Sequence, residues 1–221
     1  MTDDFVRHRL YGRRKGKALR SRQAGLVETL LPGLRVDLSN PGLPDTAPGR
    51  LEIGFGGGEH LAHRAALDPD VRFLGAESFI NGTAKLLALI ADRSLTNIRI
   101  HDGDARALLE ALPAASLDTV YLLYPDPWPK HRHLRRRFVN QDNLASIQRV
   151  LIPGGHFLFA SDIASYVAWT LLETHRHGGL AWTATSAADW RQPPPGWIET
   201  RYEAKARREG RTPCYLSFIR R

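Results

Sequence analysis

Short apolar runs, each followed by a polar turn and then a helical stripe, recur from residue 50 to the end of the chain. The runs at 50–53, 70–76, 97–101, 119–124 and 156–160 are nearly continuous, as strands covered on both faces are. Two further runs, 182–185 and 215–219, add candidate strands. Between them, apolar positions at helical spacing predict helices over 59–67, 83–93, from about 105, over 137–151 and over 163–175, and a charged helical stretch opens at Thr200. Strands alternating with helices predict an α/β fold with a doubly wound, mostly parallel, seven-stranded sheet. Ahead of it, 25–36 could form a short helix and 40–48 is a Pro/Gly/Asp linker. The expected division is therefore a basic N-terminal arm and linker over 1–49 and a single folded domain over 50–221.

The chemistry lies at the strand ends. The first strand runs into Gly54-Phe-Gly-Gly-Gly58 and then a helix, the context in which glycines let a backbone approach a ligand. The spacing is G-x-G-x-G, not the G-x-G-x-x-G of dinucleotide binders, and a glycine-rich turn without a ligand is the plain alternative. The second strand ends at Glu77, about 20 residues beyond the loop, where a ribose-binding carboxylate is expected. The third leads into Asp102-Gly-Asp104. Asp104 could accept from an adenine amino group, cap the helix starting near Ala105, or do both. The fifth ends in Ser161-Asp162.

The fourth strand stops at Tyr124-Pro-Asp-Pro-Trp-Pro-Lys130. Pro125, Pro127 and Pro129 have no ladder donor and fix φ, so Asp126 is expected on a stiff turn at a strand's carboxyl end. Trp128 beside it offers a flat face for a base or for packing. Lys130, His131, Arg132, His133, Arg135, Arg136 and Arg137 follow. A solvated helix start would explain a lone basic run, but directly after a strand-end carboxylate the block fits a site acting on nucleic acid.

Charge points the same way: net +8 and a pI near 10.0 imply a polyanionic partner. Residues 1–24 hold Arg7, Arg9, Arg13, Arg14, Lys15, Lys17, Arg20 and Arg22 around Gly12 and Gly16, with no helical face. Flexibility until a phosphate backbone neutralises them is one expectation, and a plain disordered tail the other. No apolar run approaches a membrane span, and no secretory h-region is present. Asp3, Asp4 and the scarcity of Ser oppose a mitochondrial presequence. With Cys214 as the only cysteine, a reducing cytoplasm is expected. The pairs His60/His63 and His131/His133 lack the further ligands of a zinc site, so no metal is expected.

Glu52-Ile-Gly-Phe-Gly-Gly-Gly58, with acids at Glu77, Asp104 and Asp126, resembles the Rossmann-like class I S-adenosylmethionine-dependent methyltransferases. The Tyr124 to Lys130 motif with its Arg/His tail is narrower and looks like the signature of the tRNA (guanine-N(7)-)-methyltransferase family. Thr200-Arg-Tyr-Glu203 matches that family's T-[KR]-[FY]-E motif, and Ser161-Asp162 its strand-five end. The resemblance spans roughly residues 50–219. It implies transfer of a methyl group from S-adenosyl-L-methionine to N(7) of a guanosine in the variable loop of tRNA. It places Glu52, Gly54, Gly56, Gly58, Glu77, Asp104 and Asp126 at the cofactor, with Asp126 also catalytic. It places Lys130, Asp162, Thr200, Arg201, Tyr202 and Glu203 at the substrate, and Arg132, Arg135, Arg136 and Arg137 on RNA. One departure is Glu77-Ser-Phe-Ile-Asn81, where many members carry a Glu-Val-His type sequence. The loop spacing and the cationic block oppose a nicotinamide-dependent oxidoreductase. The strand-end acids oppose a catalytically silent RNA-binding relative.

Overall fold

A computed structural model describes residues 12, 14–41 and 48–221. Its strands are β1 (Gly49–Ile53), β2 (Phe73–Ala76), β3 (Ile98–His101), β4 (Leu117–Leu123), β5 (Leu151–Ser161), β6 (Leu180–Trp182) and β7 (Cys214–Arg220). They form one sheet in the order β3-β2-β1-β4-β5-β7-β6. The first five pair in parallel, and β7 inserts antiparallel between β5 and β6. The doubly wound, mostly parallel reading holds.

The helices are α1 (Ser21–Thr29), α2 (Leu31–Leu34), α3 (Glu59–Leu67), α4 (Ile80–Arg93), α5 (Ala105–Ala111), α6 (Gln141–Val150), α7 (Ala164–His177), α8 (Ala188–Arg191) and α9 (Arg201–Arg208). The strands are covered on both faces, which is why they read as unbroken apolar runs. One face packs Ile53, Leu74, Val120, Leu122, Phe157, Phe159 and Tyr166 with α5, α6 and α7. The other packs Phe55, Leu61, Phe73, Leu86 and Leu87 with α3 and α4. Each large apolar side chain so buried contributes roughly 1.5–3 kcal/mol of transfer free energy.

Three boundaries differ from expectation. The helix expected to start at residue 137 starts at Gln141, because the Asn140 side chain accepts from the Asn143 N–H and caps it. The cationic run before it is a separate 3₁₀ turn, His131–Arg136. Second, β5 begins at Leu151 and takes in the Pro-Gly-Gly expected to precede it. Pairing jumps from Leu117↔Leu151 to Thr119↔His156, so residues 152–155 bulge opposite Asp118, with Gly154 at φ +76°.

Third, the described part of the arm is hydrogen-bonded to the start of α4. The Ile80 N–H donates to the Arg14 carbonyl, and Asn81 accepts from the Gly16 N–H at 2.8 Å while donating to the Lys17 carbonyl at 2.7 Å. α1 then starts at Ser21, inside the expected arm, and Arg22 pairs with Asp92. Leu31 and Leu34 share the core with Phe73. Arg7, Arg9 and Arg13 lie outside the described residues.

Candidate active site

The strand order reverses between β1 and β4, and the crevice beyond their carboxyl ends is where such sheets bind ligands. Ile53 pairs with Leu122, so both strands end level and both following turns border the crevice.

The turn after β1 is built on glycine. Gly54, Gly56 and Gly58 take φ of +69°, +57° and +76°, values unfavourable for any residue with a Cβ. A Cβ on Gly58 would lie 2.6 Å from Leu86. One on Gly56 would press on Arg201 and Tyr202 at 3.0 and 3.1 Å, whereas one on Gly54 would point into open space. Glu77 closes the loop from β2: its carboxylate accepts from the Gly56 and Phe79 N–H groups, each at 2.9 Å. Burial raises its pKa. The backbone donors of Phe79, Gly56 and Ser78 pull against that rise, and the charge of Asp126 adds to it. Asp104 caps α5, accepting from the Arg106 N–H at 3.0 Å and pairing with the Arg106 guanidinium. Glu52 is buried and held by His60 Nδ1 at 2.7 Å, and the His60 ring stands edge-on to Tyr121.

The turn after β4 is built on bulky residues. The Tyr124 N–H donates to the Ala160 carbonyl, and then Tyr124 and Trp128 take φ of +50° and +41°. Left-handed backbone at a residue with a large side chain costs roughly 1–2 kcal/mol each. Asp126 lies between them on the open side of the turn. It is accessible to solvent, yet enough protein surrounds it that desolvation raises its pKa. Its charge is felt by Glu77 and by Tyr166. The Arg136 guanidinium lies 5.0 Å over the Trp128 ring, with His133 edge-on at 5.8 Å. Lys130, Arg132 and Arg135 are exposed. The pKa of His133 is lowered by desolvation and by its cationic neighbours, led by Arg136.

Arg137 corrects the expectation of RNA contact. It is 2% exposed, and its guanidinium points inward to backbone and Ser165. Sequence could not separate it from its exposed neighbours, because its partners lie on α7 and at the Pro127 carbonyl.

The C-terminal motif forms the third wall. Thr200 caps α9 by accepting from the Glu203 N–H at 3.2 Å. Glu203 is buried and accepts from Trp197 Nε1 at 2.7 Å, Arg207 Nη2 at 2.9 Å and the Tyr215 hydroxyl. The Tyr124 hydroxyl is buried next to this cluster, and burial followed by the charge of Glu203 raises its pKa. Thr200 and Glu203 therefore brace the motif, while Arg201 and Tyr202 meet the glycine loop. Asp162 pairs with Arg211. Trp197 was missed in the sequence, since a single aromatic residue carries no spacing signal, while His60 and Tyr215 were read there only as one of a histidine pair and as a strand residue. Among the described residues no group of three or more His, Cys, Asp or Glu could hold a metal, and no helix is long and apolar enough to cross a membrane.

A family model described as "Putative methyltransferase" matches residues 46–216. The chain is 56% identical to the tRNA (guanine-N(7)-)-methyltransferase of Agrobacterium fabrum, covering 96% of this chain and 94% of that protein. It is also 56% identical to the enzyme of the same name from Rhizobium meliloti, covering 95% and 94%. Among solved structures, 16S rRNA methyltransferase KamB superposes with a TM-score of 0.57 at 17% identity, over 94% of this chain and 98% of that one. At that identity the likeness speaks for the fold alone.

Proposed function

The chain belongs to the tRNA (guanine-N(7)-)-methyltransferase family, and from that premise we propose that it transfers a methyl group from S-adenosylmethionine to N(7) of a guanosine in the variable loop of tRNA. The observation that carries this reading is Asp126, a partly desolvated carboxylate within electrostatic reach of Glu77 and flanked by an exposed cationic run.

The residues fit the methyl donor. Open space over Gly54 is the cradle a Cβ would fill, and Glu77 behind it has lone pairs left for ribose hydroxyls after its two backbone bonds. Asp104 would share its carboxylate between Arg106 and an adenine amino group. Two carboxylates with raised pKa are a poor arrangement for an empty protein and a good one for a cationic ligand. When bound, S-adenosylmethionine supplies an electrophilic methyl group on a sulfonium.

Guanine N(7) has an in-plane lone pair and no proton, so attack on that methyl requires placement and not a general base. Positive charge moves onto the purine as the bond forms. Asp126, fixed on its turn, stabilises that charge where it develops. Trp128 and Arg136 offer a stacking and cationic wall beside it, and Arg201 and Tyr202 close the crevice from α9. Lys130, Arg132 and Arg135, exposed along the rim, would neutralise tRNA phosphates.

The test is labelled methyl transfer to unmodified tRNA followed by nucleoside analysis. Label in 7-methylguanosine is the expected result. Label at another nucleoside position, or none with folded enzyme, would overturn the reading.

A further inference from the structure

We infer that Arg137 is a positioning residue that sets the geometry of Asp126 by locking the proline turn onto α7, and that it takes no part in holding RNA. The inference rests on the reading of Asp126 as the catalytic carboxylate.

The argument begins with a cost. Arg137 is one of few charged side chains buried to this degree, and among the described residues it makes no ion pair. Burying an unpaired guanidinium is expensive unless its N–H groups are satisfied. Each of its three nitrogens donates one hydrogen bond, in a fixed pattern. Nε donates to the Pro127 carbonyl at 3.0 Å, Nη1 to the Ser165 carbonyl at 2.9 Å, and Nη2 to Ser165 Oγ at 3.2 Å. The plane lies 4.7 Å over the Tyr166 ring and 5.5 Å from that of Trp169. One arm of a rigid fork therefore holds the turn, and the other holds the start of α7.

The fork is itself rooted. The Val139 N–H donates to the Tyr166 hydroxyl at 3.4 Å, and Trp169 Nε1 donates to the Val139 carbonyl at 2.7 Å. The chain just after Arg137 is thus tied to the same helix its fork grips. Pro127 directly follows Asp126, and Tyr124 and Trp128 hold strained backbone on both sides. Such strain persists only where the surroundings over-determine it. Proline removes donors from this turn, so a donor must come from elsewhere to satisfy its carbonyl, and Arg137 supplies it. Lysine could not replace it, having one nitrogen and no planar fork. Displacement of a reacting group by about 1 Å can cost ~10²-fold in rate, so a loosened turn would be felt at Asp126.

The test is a double-mutant cycle on the full chain with Arg137→Lys and Asp126→Asn, read as saturated single-turnover methyl transfer and as tRNA affinity against salt. Arg137→Lys alone should lower the saturated rate ~10–100-fold with tRNA affinity and its salt slope unchanged. In the Asp126→Asn background the same change should add little, because its effect passes through Asp126. Full multiplication of the two losses would mark a general structural role and overturn the inference, as would a flattened salt slope. If Arg137→Lys does not fold, Ser165→Ala carries the test: a lowered rate at unchanged tRNA affinity supports the inference, and a parental rate overturns it. Should Asp126→Asn itself keep the parental rate, the reading of Asp126 fails first and separately.

Discussion

The two turns that flank the crevice solve the same geometric problem by opposite means. Both follow parallel neighbours, β1 and β4, and both carry backbone in the left-handed region. After β1 the residues that take it are Gly54, Gly56 and Gly58, which do so with little strain. After β4 they are Tyr124 and Trp128, which do so only under restraint from prolines, the Ala160 carbonyl and the Arg137 fork. The glycine turn offers bare backbone and space, so it suits a ligand that must come close. The proline turn offers side chains at fixed positions, so it suits a group that must act in the transition state. Binding and catalysis should therefore separate along this divide when each turn is altered.

The largest effect is expected at the proline turn. Asp126→Asn should fold normally and lose ~10²–10³ in saturated rate, the scale for removing one preorganised electrostatic partner. Single-turnover kinetics at saturating donor and tRNA would check it. A loss confined to donor affinity would break the comparison.

Next comes Glu77, on the glycine side. Glu77→Gln should weaken S-adenosylmethionine binding by ~1.5–3 kcal/mol, the scale of charge-assisted hydrogen bonds, as read by calorimetry. The pH dependence has a definite sign. Burial raises the pKa of Glu77, and desolvation that of Asp126, in the free protein, while a cationic donor favours their charged forms. Parental affinity should thus fall as pH drops from neutrality through these raised values, by up to about tenfold per pH unit for each group. Glu77→Gln should flatten that dependence.

A smaller effect is expected at Gly54. Gly54→Ala meets open space but keeps a φ of +69°, so strain of roughly 1–2 kcal/mol should appear in folding stability and the lost cradle volume in donor affinity. Its saturated rate should stay near the parental one, the reverse of Asp126→Asn. Smallest, and purely electrostatic, is the rim. Arg132→Gln with Arg135→Gln should reduce the salt slope of tRNA binding by ~0.9 or less per lost phosphate contact. Adding a change at Arg137 should not reduce it further.

Much of this was legible in the sequence because it depends on local rules. The glycine turn announced itself by composition, the strand ends by where apolar runs stop, and α9 by the charged helical stretch that opens at Thr200. What was not legible depends on distant partners. Arg135, Arg136 and Arg137 are alike in sequence, and it is the Pro127 carbonyl together with Ser165, Tyr166 and Trp169 on α7 that draws the last one inside. Glu203 reads as a substrate acid until Trp197, Arg207 and Tyr215 are seen to occupy it. Asn81 gave no sign that it would hold Gly16 and Lys17. A helix boundary also moved, since Asn140 is a better cap than any residue of the basic run.

The most direct test of the central claim, that Asp126 acts as a fixed charge and not as a base, is the pH profile of the saturated single-turnover rate for Asp126→Asn beside the parental enzyme. The account predicts a variant depressed ~10²–10³-fold with no recovery at alkaline pH, because no proton leaves N(7) before attack. A clear alkaline rescue would point to a target atom that must first be deprotonated, and would contradict both the role of Asp126 and the assignment to N(7).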